Sequence, residues 1–229
     1  MLGPIRPLSL ALADACFVHW PVSPARVRAT VPDWTEPDTV AGSAWVSAIA
    51  LTIDRFDAFG VPLRENVETV ALRTYVTTPD GQRAIHFLSA DVNDRVAADA
   101  ARTLFRVPTS HAHVDRRTRG DRTEVDARRR DGSGANLAVA FEPAGNPATT
   151  APDTLASFLV DRERYVATGP LGTRLVGSVG HPPWTVQPAD ATVTDRTLLD
   201  AVGLDAPDEQ SLVHYSPGLE MTLDAPRPL

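Results

Sequence analysis

The sequence predicts an α+β fold, mainly antiparallel β, with strands curled into a sheet or barrel and a few short helices set among them. Three observations carry that expectation. Prolines and glycines, 20 and 14 of them in 229 residues, punctuate the chain so often that long elements are rare. Between them lie short segments that alternate apolar and polar residues, the period of a strand. The strongest helical period lies near residue 100, and the other helices read as short. No repeat, linker or low-complexity tract divides the chain, so residues 1–229 read as one domain.

The elements follow in order. Leu8–Val18 reads as a first strand; Asp14 interrupts it, which argues against a signal peptide. Ser23 fits an N-cap before Pro24 at the first helical position, and Val27 and Val31 share one face of the short helix that follows. Strands are expected at Ala44–Ile53 and Val67–Thr77, then a turn at Pro79-Asp80-Gly81 and a strand at Ala84–Ala90. Asn93–Phe105 is the strongest helix. Val96, Ala97, Ala100, Ala101, Leu104 and Phe105 form its apolar double stripe, Arg95, Asp99 and Arg102 lie opposite, and Pro108 ends it. From Thr109 the chain reads as a meander: Ser110–Arg117, Arg122–Arg130 and Asn136–Phe141, with turns at Gly120 and Gly132. Arginines and aspartates interleave there, as on a solvated sheet face with cross-strand ion pairs. Asp153 is expected to cap a helix burying Leu155, Phe158 and Leu159. Strands within Tyr165–Val179 and at Thr185–Val193, a short helix from Arg196 to Gly203 and a strand at Leu212–Leu223 complete the reading.

Composition excludes several classes of partner. The formal net charge is −7, which suits neither nucleic acid nor an anionic membrane. No apolar run approaches the roughly 18 residues that span a bilayer. Cys16, the lone cysteine, has no partner for an internal disulfide, and a cytoplasmic setting is expected. All 22 basic residues are arginine, and aspartate outnumbers glutamate. Mutational bias in a GC-rich genome and adaptation to high salt both account for this, and both stay open. Nothing in the composition opposes a homo-oligomer.

An ordered set of short motifs runs nearly the whole length of the chain. His19-Trp20-Pro21-Val22, Gly42-Ser43-Ala44-Trp45-Val46, Arg73-Thr74-Tyr75-Val76 and Phe87-Leu88-Ser89-Ala90-Asp91 come first; Phe158-Leu159, Arg164-Tyr165, His181-Pro182-Pro183-Trp184 and His214-Tyr215-Ser216-Pro217-Gly218 follow. In that order and spacing the chain resembles the uncharacterised YqjF-like family of the acetoacetate decarboxylase-like superfamily. The resemblance implies a cone-shaped, mostly antiparallel barrel around a central cavity, and no particular reaction. Members of that family often carry a Glu and an Asn four and two residues before the Arg of Arg-Thr-Tyr-Val; Thr69 and Ala71 stand there instead. The segment Ala101-Arg102-Thr103 with Pro108-Thr109-Ser110 is similar to the catalytic segment of acetoacetate decarboxylase. The similarity puts Thr109 in the slot of the Schiff-base lysine and Ser110 in its neighbour's. An imine needs a primary amine, and the chain contains no lysine at all.

Strand parity supplies the remaining candidates. On Val70–Thr77, Arg73 and Tyr75 point away from the apolar Val70, Leu72 and Val76 face, so Arg73 is either an anion anchor or half of a structural ion pair, with Asp91 for instance. His111 shares a strand face with Thr109 and is a candidate acid/base; with His113 it has the i, i+2 spacing of metal ligands, which His181 or His214 could complete. No carboxylate stands at a diagnostic metal spacing, and no metal or other cofactor is expected. His181 and Trp184 flank a two-proline corner, at the cavity mouth in the functional reading and as plain core packing in the other. The expected function is a small-molecule site inside a barrel, taking an organic acid or carbonyl compound. Arg73, Tyr75, Thr109, Ser110, His181 and Trp184 would contact the ligand, with His111 as the catalytic group. The rival reading is a non-catalytic ligand-binding or sensing module on the same scaffold.

Overall fold

The computed structural model describes residues 8–205 and 211–229. The elements are β1 (Leu8–Val22), α1 (Pro24–Arg28), β2 (Glu36–Pro37), β3 (Ala44–Ala58), β4 (Val61–Thr77), β5 (Arg83–Val92) and α2 (Arg95–Ala100). Then come β6 (Thr109–Arg119), β7 (Arg122–Arg129), β8 (Asn136–Pro143), β9 (Ala148–Thr149), α3 (Leu155–Val160), β10 (Arg164–Thr168) and β11 (Arg174–Gly180). The chain closes with β12 (Thr185–Asp195), α4 (Thr197–Asp200), β13 (Leu212–Leu223) and β14 (Arg227–Pro228). No helix among the described residues is long and apolar enough to cross a membrane.

The strands close into a barrel. Starting at β5, hydrogen bonding runs through β6, β7, β8, β12, β13, β1, β3 and β4 and returns to β5, a circuit of nine. A shorter path leaves β5 through β10 and β11 and meets β13 at Val179–Leu223, closing a second circuit of seven. The two circuits share β1, β3, β4, β5 and β13, and this sharing decides how residues on those strands are used. Each shared strand has a core on both faces. On β4, Val70, Leu72 and Val76 pack with Val114, Val125 and Leu137 of the nine-strand circuit. Tyr75, one residue out of phase, packs with Phe17, Phe158 and Tyr165 of the other. Strands buried on both faces lose the simple alternation of a one-sided sheet.

Most pairs are antiparallel, but β5 is flanked by parallel partners, β6 and β10. Its link to β6 is therefore a crossover, as parallel strands require. That crossover holds the helix expected at Asn93–Phe105. The Asp94 carboxylate accepts from the Ala97 N–H at 2.7 Å and starts α2, which runs into a π-helical turn over Ala101–Phe105. The turn stops at Arg106, whose φ of 57° is left-handed. The buried side of this segment is Ala98 and Phe105, while Val96 and Leu104 of the expected stripe are 56% and 54% exposed. The helix rests on small alanines against Val67 and Val92, a shallower contact than a Val/Leu stripe would make. Thr154, and not Asp153, caps α3: its hydroxyl accepts from the Ser157 N–H at 3.1 Å, and Asp153 adopts a left-handed φ of 61°.

Candidate functional site

A cavity of about 210 Å³ lies inside the seven-strand circuit, bordered by side chains from all seven strands and roofed by Ala101 and Phe105 of the π turn. A π turn interrupts regular helix and recurs at functional sites. Carbon makes up nearly all of the wall, from residues such as Leu12, Phe17, Ile49, Ile85 and Met221. Six polar side chains reach the border: Thr69, Arg73, Thr109, Arg162, Tyr165 and His181. No Asp or Glu does so among the described residues.

Arg73 is 7% exposed. Its Nη2 donates to the Leu159 carbonyl at 2.6 Å, its guanidinium carbon sits 5.8 and 5.7 Å from the ring centroids of Phe17 and Tyr75, and its Nε has no partner among the described residues. No carboxylate among the described residues lies within 4.0 Å of it. Arg162 stands on the other side of the same carbonyl run. Its Nε donates to the Phe158 carbonyl at 2.8 Å, its Nη1 is 3.0 Å from an Asp38 carboxylate oxygen, and its Nη2 has no partner among the described residues. Burial pulls the Arg162 guanidinium below its ordinary pKa, and Asp38 opposes that. Both arginines thus bind carbonyls of the last turn of α3, which have no intrahelical donor and carry the negative end of the helix dipole. Six residues of α3 suffice to orient two guanidiniums toward one cavity.

Behind Arg73 runs a hydrogen-bond chain whose direction is fixed at one end. The Leu159 carbonyl can only accept, so the Tyr75 hydroxyl donates to it at 2.7 Å. Tyr75 then accepts from Ser47 at 2.6 Å, and Ser47 accepts from Nδ1 of His19 at 2.6 Å. His19 is therefore the neutral Nδ1–H tautomer in the fully bonded arrangement. Its pKa agrees in direction, held well below 6.5 by burial, then by His214 and Arg73. The register explains the row: His19 pairs with Ser47 across β1 and β3, and Ser47 with Arg73 across β3 and β4.

Of the residues singled out in the sequence, Arg73, Thr109, His181 and Trp184 border the cavity. Trp184 is buried edge-on to Phe17 at 5.1 Å, and Nε2 of His181 faces the Arg162 carbonyl at 3.3 Å. Tyr75 is wholly buried and acts one layer back, through the Leu159 carbonyl. Ser110 turns instead to an outer groove, which Thr109, Phe87, Val107 and Tyr165 separate from the cavity. His111 does not border the cavity: β6 meets β5 only at Thr109–His111, then follows β7 out of the seven-strand circuit, so Thr109 alone of β6 reaches it. His113 is exposed on the far sheet, and no group of three or more His, Cys, Asp or Glu among the described residues is placed to hold a metal. Arg73 has no ion pair with Asp91, which pairs with Arg129 at 3.0 Å.

Sequence reasoning missed Arg162, Asp38, His19 and Ser47. A signal existed for two of them. Ser47 interrupts Trp45, Ile49 and Leu51 on one strand face, and His19 extends the face of Ala15 and Phe17; a polar residue inside an apolar stripe must find a partner. Arg162 and Asp38 lie outside periodic segments, and only the tertiary fold pairs them.

Comparison with known proteins agrees with this architecture. A family model described as an uncharacterized conserved protein, DUF2071, matches residues 10–220. The uncharacterized protein YqjF of Bacillus subtilis (strain 168) is 32% identical over 206 residues, covering 89% of this chain and 84% of that protein. Among solved structures, acetoacetate decarboxylase from Legionella pneumophila superposes with a TM-score of 0.67 at 10% identity, covering 99% of this chain and 88% of that one. The enduracididine biosynthesis enzyme MppR, complexed with pyruvate, gives 0.68 at 17% identity, covering 100% and 91%.

Proposed function

The chain belongs to the DUF2071 family, of the acetoacetate decarboxylase-like fold, and we propose that its barrel cavity binds a small organic acid through Arg73. One observation carries the reading: a guanidinium buried to 7% exposure, beside a cavity, with an unpartnered Nε and no carboxylate within ion-pair distance among the described residues. A buried, unpaired charge costs several kcal/mol, and a bound anion offsets that cost. Pyruvate, the ligand of the superposed MppR structure, has a carboxylate of this kind. Trp184, His181 and Thr109 would contact the remainder of the ligand.

Schiff-base decarboxylation is not among the chemistries available, because the chain has no lysine and Thr109 lies at the cavity where the resemblance calls for one. Between catalysis and binding, the border favours binding. Among the described residues neither His111 nor any carboxylate reaches the cavity, and burial raises the Tyr165 hydroxyl above its ordinary pKa. Among the described residues His181 is the one imidazole there, and it is oriented by carbonyls of Pro182 and Arg162. A ligand-binding or sensing role fits that equipment best.

The test is a thermal-shift titration with small carboxylates against chloride at equal ionic strength. At a hundredfold excess over Kd, binding adds about 2.7 kcal/mol, which raises Tm by roughly 5–10 °C for a chain of this size. Arg73→Gln should remove the shift while keeping a cooperative transition. An unchanged shift in that variant would place the anion elsewhere.

A further inference from the structure

Resting on the reading of Arg73 as an anion anchor, we infer that the acid is a monocarboxylate with an otherwise apolar body, about the size of a six-carbon chain or one benzene ring. Charge is the first reason. Arg73 and Arg162 both reach the cavity; Asp38 pairs with Arg162 at 3.0 Å, and with Arg83 outside the cavity at 3.6 Å, so Arg73 is the cavity cation that no acid among the described residues pairs. A second carboxylate on the ligand would be buried with no counter-charge.

Hydrogen bonding is the second reason. The other polar side chains at the border already have protein acceptors. Thr109 donates to the Val107 carbonyl at 3.1 Å and Thr69 to that of Val67 at 3.4 Å. Tyr165 donates to the Asp224 carbonyl at 3.5 Å, and His181 lies between those of Pro182 and Arg162. Among the described residues, only Nε of Arg73 and Nη2 of Arg162 are buried there without a partner. A ligand hydroxyl or amide would lose its water for little more than the spare lone pairs of hydroxyls already engaged, whereas a carboxylate takes the two free guanidinium donors as charge-assisted bonds. Size is the third reason. An apolar cavity of about 150 Å³ takes up benzene. The 210 Å³ here has room for such a body with its carboxylate turned to Arg73.

Isothermal titration of the full chain with acetate, butyrate, hexanoate, octanoate, benzoate, adipate and hexanamide tests this. Affinity should rise about fourfold per methylene from acetate to hexanoate, the increment expected for burying that group. It should fall at octanoate, and benzoate should match hexanoate. Adipate, with hexanoate's length and a second charge, should bind at least tenfold more weakly, and so should the neutral hexanamide. Ala71→Leu, which fills the cavity wall, should weaken hexanoate more than acetate. Acetate as tight as hexanoate, or adipate as tight as hexanoate, would overturn the inference and leave the role of Arg73 standing. No carboxylate binding at all, or hexanamide equal to hexanoate, would overturn both; neither result depends on a variant that folds.

Discussion

Ser47 occupies the middle of a one-way hydrogen-bond chain, and the residue at its start, His19, has no partner for Nε2 among the described residues. His19 is one of three histidines with lowered pKa; His86 and His214 are also depressed, each chiefly by burial. Their folded-state values lie below the free value of 6.5. Between the two, the unfolded chain binds protons that the folded chain refuses. Stability is thus complete above pH 6.5 and falls as pH drops below it, by up to about 1.4 kcal/mol per pH unit for each histidine. Denaturation midpoints in urea should decline between pH 7.5 and 5.5, and a flat profile there would contradict the burial of these rings as neutral species. Burial raises the carboxyl of Asp91, which works in the opposite sense nearer its own range, so the comparison stops short of it. At this scale the sequence was legible where one strand decides the outcome. Parity alone turned Arg73 away from Val70 and Leu72, but it cannot report that His19 and Ser47 stand beside it, because cross-strand register is a tertiary property.

Strands read more clearly than their connections. Leu212–Leu223 has the bounds its alternation indicates, and Val67–Thr77 needs only an extension to Val61 along the hairpin with β3. The Asn93–Phe105 helix was legible as helical but not in its buried face, since periodicity gives the angular spacing of apolar residues and not which of two sides meets a sheet. His111 was misplaced for a related reason: the point where β6 parts from β5 is set by the parallel crossover, which no alternation marks. One cross-strand pair has a direct consequence for the cavity. Gly177 on β11 pairs with Tyr165 on β10, and a Cβ at residue 177 would lie 2.1 Å from the Tyr165 ring. The ring occupies the space beside the glycine that a side chain would fill, and it borders the cavity. Gly177→Ala must push the tyrosine inward or the strand outward, at a cost of about 1–3 kcal/mol as for other overpacked sites. Chemical denaturation should show that loss together with weaker carboxylate binding. Wild-type affinity in a folded Gly177→Ala protein would mean that Tyr165 does not shape the site.

At the scale of the molecule, two circuits that share five strands put both faces of β1, β3, β4, β5 and β13 under cover. Apart from buried groups such as Arg73, Arg162–Asp38 and Arg129–Asp91, ion pairs sit toward the periphery, where Arg117–Asp115, Arg122–Glu124 and Arg128–Asp126 lie along β6 and β7 with mostly exposed side chains. The closed barrel was legible from punctuation and motif order; the double circuit was not, because it depends on β5 and β13 each accepting different partners at different points along one edge. The exposed pairs bear on the two readings of the arginine-only composition. Such pairs contribute about 0–1 kcal/mol each, so screening them costs little. The excess of seven negative charges repels itself across the whole surface, and that repulsion is also screened, within about 3 Å at molar salt. Relief of the net charge outweighs loss of the pairs, and molar potassium chloride should raise Tm by several degrees over dilute buffer. Chloride also competes for an anion site, so the comparison is made with Arg73→Gln alongside: an increase that persists in the variant belongs to the surface, and one that vanishes belongs to the cavity. A flat or falling response in both proteins would leave genome composition as the source of the arginines.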